Sequence, residues 1–244
     1  MNAVVRRASG PLLAAMAVLA AGTATAGMFS VTPVRIYMNA RERAVAVTIV
    51  NDGDSDVVLQ ADLNSWTQTA DGTDQLAPTD DLILAPPIIK IPPKARQVVR
   101  LALLTPPDLS RQLTYRVVVR EVPEARPQPP AEGLRTPIAL ALSLPVFITP
   151  PGARRQVECT PVRTEANAPA LSCRNNGNAY AQLRDAQLTR DDRPLARFEG
   201  GTYILPGATK LIALKTDTAV PSGQARLSLT FDDGQGSTTS VALP

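Results

Sequence analysis

The residues able to carry chemistry in this 244-residue chain are limited first by the total absence of histidine. A Ser-His-Asp nucleophilic triad is therefore excluded, and so are zinc sites built on Cys and His. The two cysteines, Cys159 and Cys173, are close in sequence and read as a disulfide rather than as nucleophiles; closing a loop of that size contributes roughly 3 kcal/mol in the chain-entropy view. Adjacent carboxylates stand at Asp80-Asp81, Asp191-Asp192 and Asp232-Asp233. Two carboxylates facing across a cleft would suit glycoside hydrolysis, but each pair sits among turn residues, where Asp serves local backbone hydrogen bonding. Gly200-Gly201 lacks the strand, Gly-rich turn and helix of a phosphate loop, so it reads as a hairpin turn. No metal, cofactor or enzymatic activity is expected.

Three features point to binding instead. Arg35 interrupts the apolar run Val31 to Met38, either as an anion anchor or as a solvent-facing cation with its stem packed on a sheet. Trp66, the sole tryptophan, reads as core packing or a strand-end cover. The segment Ile138 to Phe147 alternates so that Ile138, Leu140, Leu142, Leu144 and Val146 share one face of any strand containing it. It follows the most proline-rich loop, Val122 to Arg135, which makes it a candidate edge strand. An exposed apolar edge is a hazard that soluble proteins suppress, so one that is kept suggests use; packing into its own sandwich is the other reading.

The elements that must position these residues follow from the pattern of the whole chain. Arg6 and Arg7 precede an apolar run from Pro11 to Ala21 and the small residues Ala24-Thr25-Ala26, so residues 1–26 read as a secretory signal peptide and the exported chain begins at Gly27. No later segment has the apolar length of a membrane span. Removing those two arginines from 25 basic residues leaves 23 against 22 acids, and no Lys/Arg block is interleaved with aromatics, so nucleic acid is not an expected partner. Apolar residues recur at spacing two in short runs broken by Gly, Pro, Asn and Asp. Seven strands are expected in residues 27–148: Phe29 to Met38, Ala44 to Asn51, Val57 to Trp66, Leu82 to Ile91, Gln97 to Leu104, Leu113 to Glu121 and Thr136 to Ile148. A hinge follows at 149–152, and seven shorter runs, Leu195 to Phe198 among them, fill 153–244. The fold class is all-β, two immunoglobulin-like β-sandwich domains in tandem.

Taken in order, several segments resemble the periplasmic pilus-assembly chaperones of the chaperone-usher pathway, the PapD-like family. They are Val31-Thr32-Pro33-Val34-Arg35, Val47 to Gly53, Pro86-Pro87 with Ile91-Pro92-Pro93, Val98 to Leu101, Tyr115 to Pro123, the alternating strand, Asn175 to Ala179, and Tyr203 to Gly207. The resemblance covers essentially the whole chain after residue 26 and is most specific at Arg120-Glu121-Val122-Pro123 followed by a loop and the alternating strand. It implies an interdomain cleft and a non-covalent function: lending Ile138, Leu140, Leu142 and Leu144 to a pilus subunit that lacks a strand, and delivering that subunit to an outer-membrane usher in the periplasm. It further implies that a basic residue on the first strand, here Arg35, fixes the subunit's C-terminal carboxylate together with a Lys on the seventh. The aligned position is Pro145, and no Lys occurs between Lys94 and Lys210. Arg116 is the expected replacement, with Arg120 and Arg100 behind it, a departure resembling the archaic branch of the family. Self-association through the edge is expected of the free chain. A secreted surface-binding or adhesin module on the same sandwiches is the alternative.

Overall fold

The computed structural model describes residues 29–69, 71–106, 110–122 and 139–244. The expected signal peptide, most of the proline-rich loop and Ile138 lie outside the described residues. Every described element is a strand: β1 Phe29–Thr32, β2 Ile36–Met38, β3 Ala44–Asn51, β4 Val57–Gln68, β5 Asp74–Pro78, β6 Leu82–Ala85, β7 Ile88–Ile91, β8 Arg96–Leu103, β9 Leu113–Glu121 and β10 Ala141–Ile148 make the first sandwich. The second holds β11 Val157–Arg163, β12 Pro169–Asn175, β13 Ala181–Arg190, β14 Arg193–Ile204, β15 Thr209–Ala213, β16 Gly223–Phe231 and β17 Gly236–Leu243.

In the first sandwich one sheet runs β1-β3-β8-β6 and the other β2-β10-β9-β4-β5, with β7 also on β4. In the second, β11-β12-β15 faces β14-β13-β16-β17. Alternation along the strands fills each sandwich with its own core, Ile36, Ile49, Leu59, Leu101 and Val117 in the first and Leu171, Leu183, Leu188 and Leu227 in the second. The all-β, two-sandwich architecture expected from spacing two is what forms.

Prolines account for two departures. The expected first strand divides at Pro33, whose missing N–H breaks the ladder, so the chain crosses from one sheet to the other and Arg35 lies in the crossover rather than mid-strand. Pro86-Pro87 divides Leu82 to Ile91 into β6 and β7 in the same way. The strand β5 went unseen because all its residues are exposed, leaving no buried face to impose alternation. Within the described residues β10 starts at Ala141, later than Thr136.

Gly200-Gly201 is not a hairpin turn. Both glycines lie inside β14, opposite Arg184, where the register with β13 slips between Leu183 and Asp185, a bulge in which two residues face one. A Cβ on Gly201 would lie 3.0 Å from Gln182 Nε2 and 3.1 Å from an Arg184 nitrogen, so the bare backbone leaves room for both side chains.

Each sandwich closes one strand end with a buried asparagine. Asn51 donates to the carbonyls of Ser55, Ile91 and Pro92 and accepts from Gly53 N–H. Asn175 donates to those of Ala179 and Ile204 and accepts from Gly177 N–H. The same Asn-x-Gly turn thus satisfies the same backbone groups twice. Cys159 and Cys173 face each other directly across β11 and β12 and form the expected disulfide.

Candidate functional site: an open strand edge beside a cationic cleft

The strand β10 pairs antiparallel with β9 along its whole length, from Ala141 opposite Arg120 to Ile148 opposite Leu113. On its other side β2 pairs only with Val146 to Ile148. Among the described residues, Ala141 to Pro145 therefore have no neighbour on that side. Glu121 N–H donates to the Leu140 carbonyl, which places the even-numbered residues of β10 in hydrogen-bonded pairs with β9 and turns the backbone groups of Ala141, Ser143 and Pro145 outward. Proline has no N–H, so the outward row of donors ends at Ser143.

Leu144 is only 5% exposed and packs in the first core, whereas Leu140 and Leu142 are half-buried against its rim. The alternating strand thus divides its apolar side chains: Leu144 and Val146 hold it to its own sandwich, and Leu140 and Leu142 lie where that sandwich thins out.

At the C-terminal end of this open edge the two sandwiches meet. Phe147 stacks on Tyr180 with ring centroids 4.0 Å apart, and Trp66, Leu205, Ala208 and Tyr203 complete an aromatic cluster. Trp66 is therefore neither a sandwich-core residue nor a strand-end cover; it is buried between the domains. Polar bonds fasten the same junction. Gln112 Nε2 donates to Thr149 while its Oε1 accepts from Tyr180 N–H, and Gln68 bonds Tyr203 carbonyl and Leu205 N–H. The Asp71-Gly72 turn sits so close that a Cβ on Gly72 would lie 2.7 Å from the Thr209 carbonyl oxygen.

Arg35 and Arg116 both reach this junction, each with its guanidinium carbon within 6 Å of the Tyr203 ring centroid (5.9 and 5.5 Å). Arg35 donates to Asp232 at 2.5 Å, to Gln182 Oε1 at 2.8 Å and to Tyr180 Oη at 3.3 Å; the Tyr37 and Tyr180 hydroxyls bond each other at 2.6 Å. Asp232, expected to serve a turn, is half of an ion pair across the junction, and its neighbour Asp233 pairs with Arg155. A doubled Asp after a strand carries no signal separating those roles, and Gln182 and Tyr180 were missed for the same reason.

Arg116 lies on β9 directly opposite Pro145. Its guanidinium stacks 3.8 Å above the Trp66 ring and reaches the Ser143 carbonyl at 3.4 Å. Burial pulls its pKa below the ordinary guanidinium value, with Tyr203 and Asp74 opposing. Among the described residues no carboxylate forms an ion pair with it. No group of three or more metal-ligating side chains occurs among the described residues.

Residues 28–154 match the family model of pili and flagellar-assembly chaperones, PapD N-terminal domain. The chain belongs to this PapD family of pilus-assembly chaperones. The chaperone's fold is similar to that of a chain in the CsuC-CsuE chaperone-tip adhesion subunit pre-assembly complex from archaic chaperone-usher Csu pili of Acinetobacter baumannii, at 19% identity, 88% of this chain, 98% of that chain and TM-score 0.66. It is also similar to the Pseudomonas aeruginosa CupB2 chaperone (18%, 88% and 100%, TM-score 0.57) and to a chain of the Salmonella enterica SafA pilin complex with the SafB chaperone (15%, 90% and 98%, TM-score 0.60). No curated protein matches in sequence.

Proposed function

We propose that this chaperone captures a pilus subunit lacking one strand by lending it the open edge of β10, receives the subunit's terminal carboxylate in the cleft at Arg35 and Arg116, and delivers it to an outer-membrane usher. The observation that carries this reading is the run Ala141 to Pro145, which among the described residues is unpaired on one side and ends opposite a cation with no carboxylate partner. Backbone pairing along such an edge sets register, and alternate side chains fill the partner's groove. Ile138, Leu140, Leu142 and Leu144 are the proposed inserted residues. Full burial of an apolar side chain is worth ~1.5 to 3 kcal/mol; because Leu144 is already buried at home, the gain on capture falls on the residues before it. The apolar leader of residues 1–26 and the disulfide support an oxidising compartment, the periplasm.

The test is a periplasmic pull-down of the tagged chain coexpressed with a pilus subunit of the same organism, comparing wild type with Leu140→Glu. A one-to-one complex with wild type and its loss in the variant is the expected result. Equal retention by both would make β10 an ordinary edge and move the reading to a surface-binding module using loops.

A further inference from the structure

The aromatic junction has a second side. Away from the cationic cleft, the C-terminal end of β4, the start of β9 and the Leu205 to Thr209 turn enclose an open cavity of about 830 Å³. That is the size of small-molecule sites, which favour domain interfaces. Arg35, Arg116, Tyr180 and Asp232 take no part in its lining, and neither does any residue of β10. Trp66 serves both sides: Arg116 stacks on its ring, and Trp66 is also part of the cavity wall. Its indole nitrogen is buried with no hydrogen-bond partner among the described residues, so the wall holds an unused donor.

Two cations line this cavity, one from each sandwich: Arg111, just ahead of β9, and Arg174 on β12. Both are exposed, and among the described residues neither forms an ion pair with a carboxylate. Arg174 is held by its Nε, which donates to Asn176 Oδ1 at 2.9 Å, so its terminal nitrogens remain available. The single carboxylate among the described lining residues, Asp81, accepts from the Tyr115 hydroxyl at 3.0 Å. Burial, together with that bond, raises the Tyr115 pKa, and the phenol keeps its proton. Two positive charges against one negative leave the cavity with a positive field. Leu113, Leu205 and Pro206 give it apolar surface, and Thr67 and Thr209 add hydroxyls. A guanidinium matches a carboxylate or phosphate through parallel N–H bonds. We propose that this cavity binds a small organic oxyanion, its carboxylate or phosphate-type headgroup met by Arg111 and Arg174 and its apolar body lying against Trp66 and Leu205. Such a ligand touches both sandwiches and so adds a link across the junction. The site is separate from the strand-capture reading and does not rest on it.

The test is two-dimensional NMR on the purified chain. It follows the single indole N–H, supplied by the sole tryptophan, and the backbone N–H groups of Thr67 and Gly207, which line this cavity. Benzoate, phenylphosphonate and the neutral isostere benzamide are each titrated to tens of millimolar at constant ionic strength. Saturable shifts at all three reporters are expected with at least one anion, at an affinity roughly tenfold or more above that for benzamide, the scale of a charged hydrogen bond. The tighter of the two anions identifies the headgroup as carboxylate or phosphate. Arg111→Gln and Arg174→Gln, both at exposed positions, each lower the anion affinity roughly tenfold without lowering the melting temperature. Arg116→Gln leaves the affinity as in wild type. No saturable shift, benzamide binding as tightly as the anions, or affinity that survives either change at Arg111 or Arg174 overturns the proposal. So does loss of binding in Arg116→Gln, which would place the anion in the cationic cleft. Subunit capture is read separately by the pull-down, and Arg111→Gln is expected to leave it intact.

Discussion

Arg35 and Asp232 are 197 residues apart in sequence and 2.5 Å apart in space. One belongs to the crossover between β1 and β2, the other follows β16, so their ion pair ties the two sandwiches across the aromatic junction. Replacing Asp232 with Asn keeps the shape and removes the charge. Stability is expected to fall by about 1 kcal/mol, since the pair is partly solvated, and amide exchange should quicken at Gln112 and Tyr180, whose backbone N–H groups bond across the same junction. Unchanged exchange at those two amides would show that the aromatic cluster alone sets the domain angle.

The apolar residues of β10 should separate into two behaviours. Leu144→Ala opens a cavity in the first core and is expected to cost about 2–5 kcal/mol in denaturant unfolding. Leu140→Glu, at the rim, is expected to cost about 1 kcal/mol or less and yet to abolish subunit retention. If Leu140→Glu unfolds the free chain as badly as Leu144→Ala, the rim is core after all.

Backbone direction gives a sharper discrimination. Ser143 points its N–H away from β9, so Ser143→Pro deletes a donor that the free chain does not use and leaves stability within about 1 kcal/mol. Subunit capture should nevertheless fail. Pro145→Ala does the converse, lengthening the outward row of donors, and sedimentation should then show more self-association than wild type.

Reduction of Cys159–Cys173, or the double Ser variant, releases a cross-strand link between β11 and β12. An expected loss of about 3 kcal/mol follows from the closed loop of 14 residues. Because the disulfide sits away from the β10 edge, subunit capture below the melting temperature should persist.

Acid should act partly through Asp233. Burial opposes its charge, but Arg155 and the Gln235 N–H outweigh that and hold its pKa below the ordinary 3.8. A carboxyl depressed in the folded state stabilises above its unfolded pKa and loses that contribution as pH falls through the depressed value. Asp233→Asn should therefore be less stable than wild type above about pH 4 and converge with it in more acid solution. Parallel curves over the whole range would remove Asp233 from the acid response.

How much of this was legible beforehand depends on whether the cause was local. Alternation revealed β9 with the boundaries it has, Leu113 to Glu121, and the cross-strand cysteines announced themselves by being the only two. The resemblance implies a lysine where this chain has Pro145, and Arg116, the cation expected in its place, stands directly opposite that residue. By contrast Asp232, Gln182 and the burial of Trp66 depend on contacts between domains, for which sequence spacing has no signature. The exposed strand β5 was silent for the opposite reason: without a buried face, nothing writes a period into its residues.

Pro145 and Arg116 together turn the edge into a ruler. The open backbone ends at one, the Arg116 charge, without a carboxylate partner among the described residues, stands opposite it, and each residue back along β10 adds about 3.3 Å. Under the proposed strand capture, a guest chain whose terminus is held at that mark would meet Leu142 and Leu140 at fixed distances. Because a shift of one residue turns every side chain to the opposite face, under the proposed strand capture a guest one residue too long or too short would present the wrong side of itself, and the edge would sort its clients by length before composition.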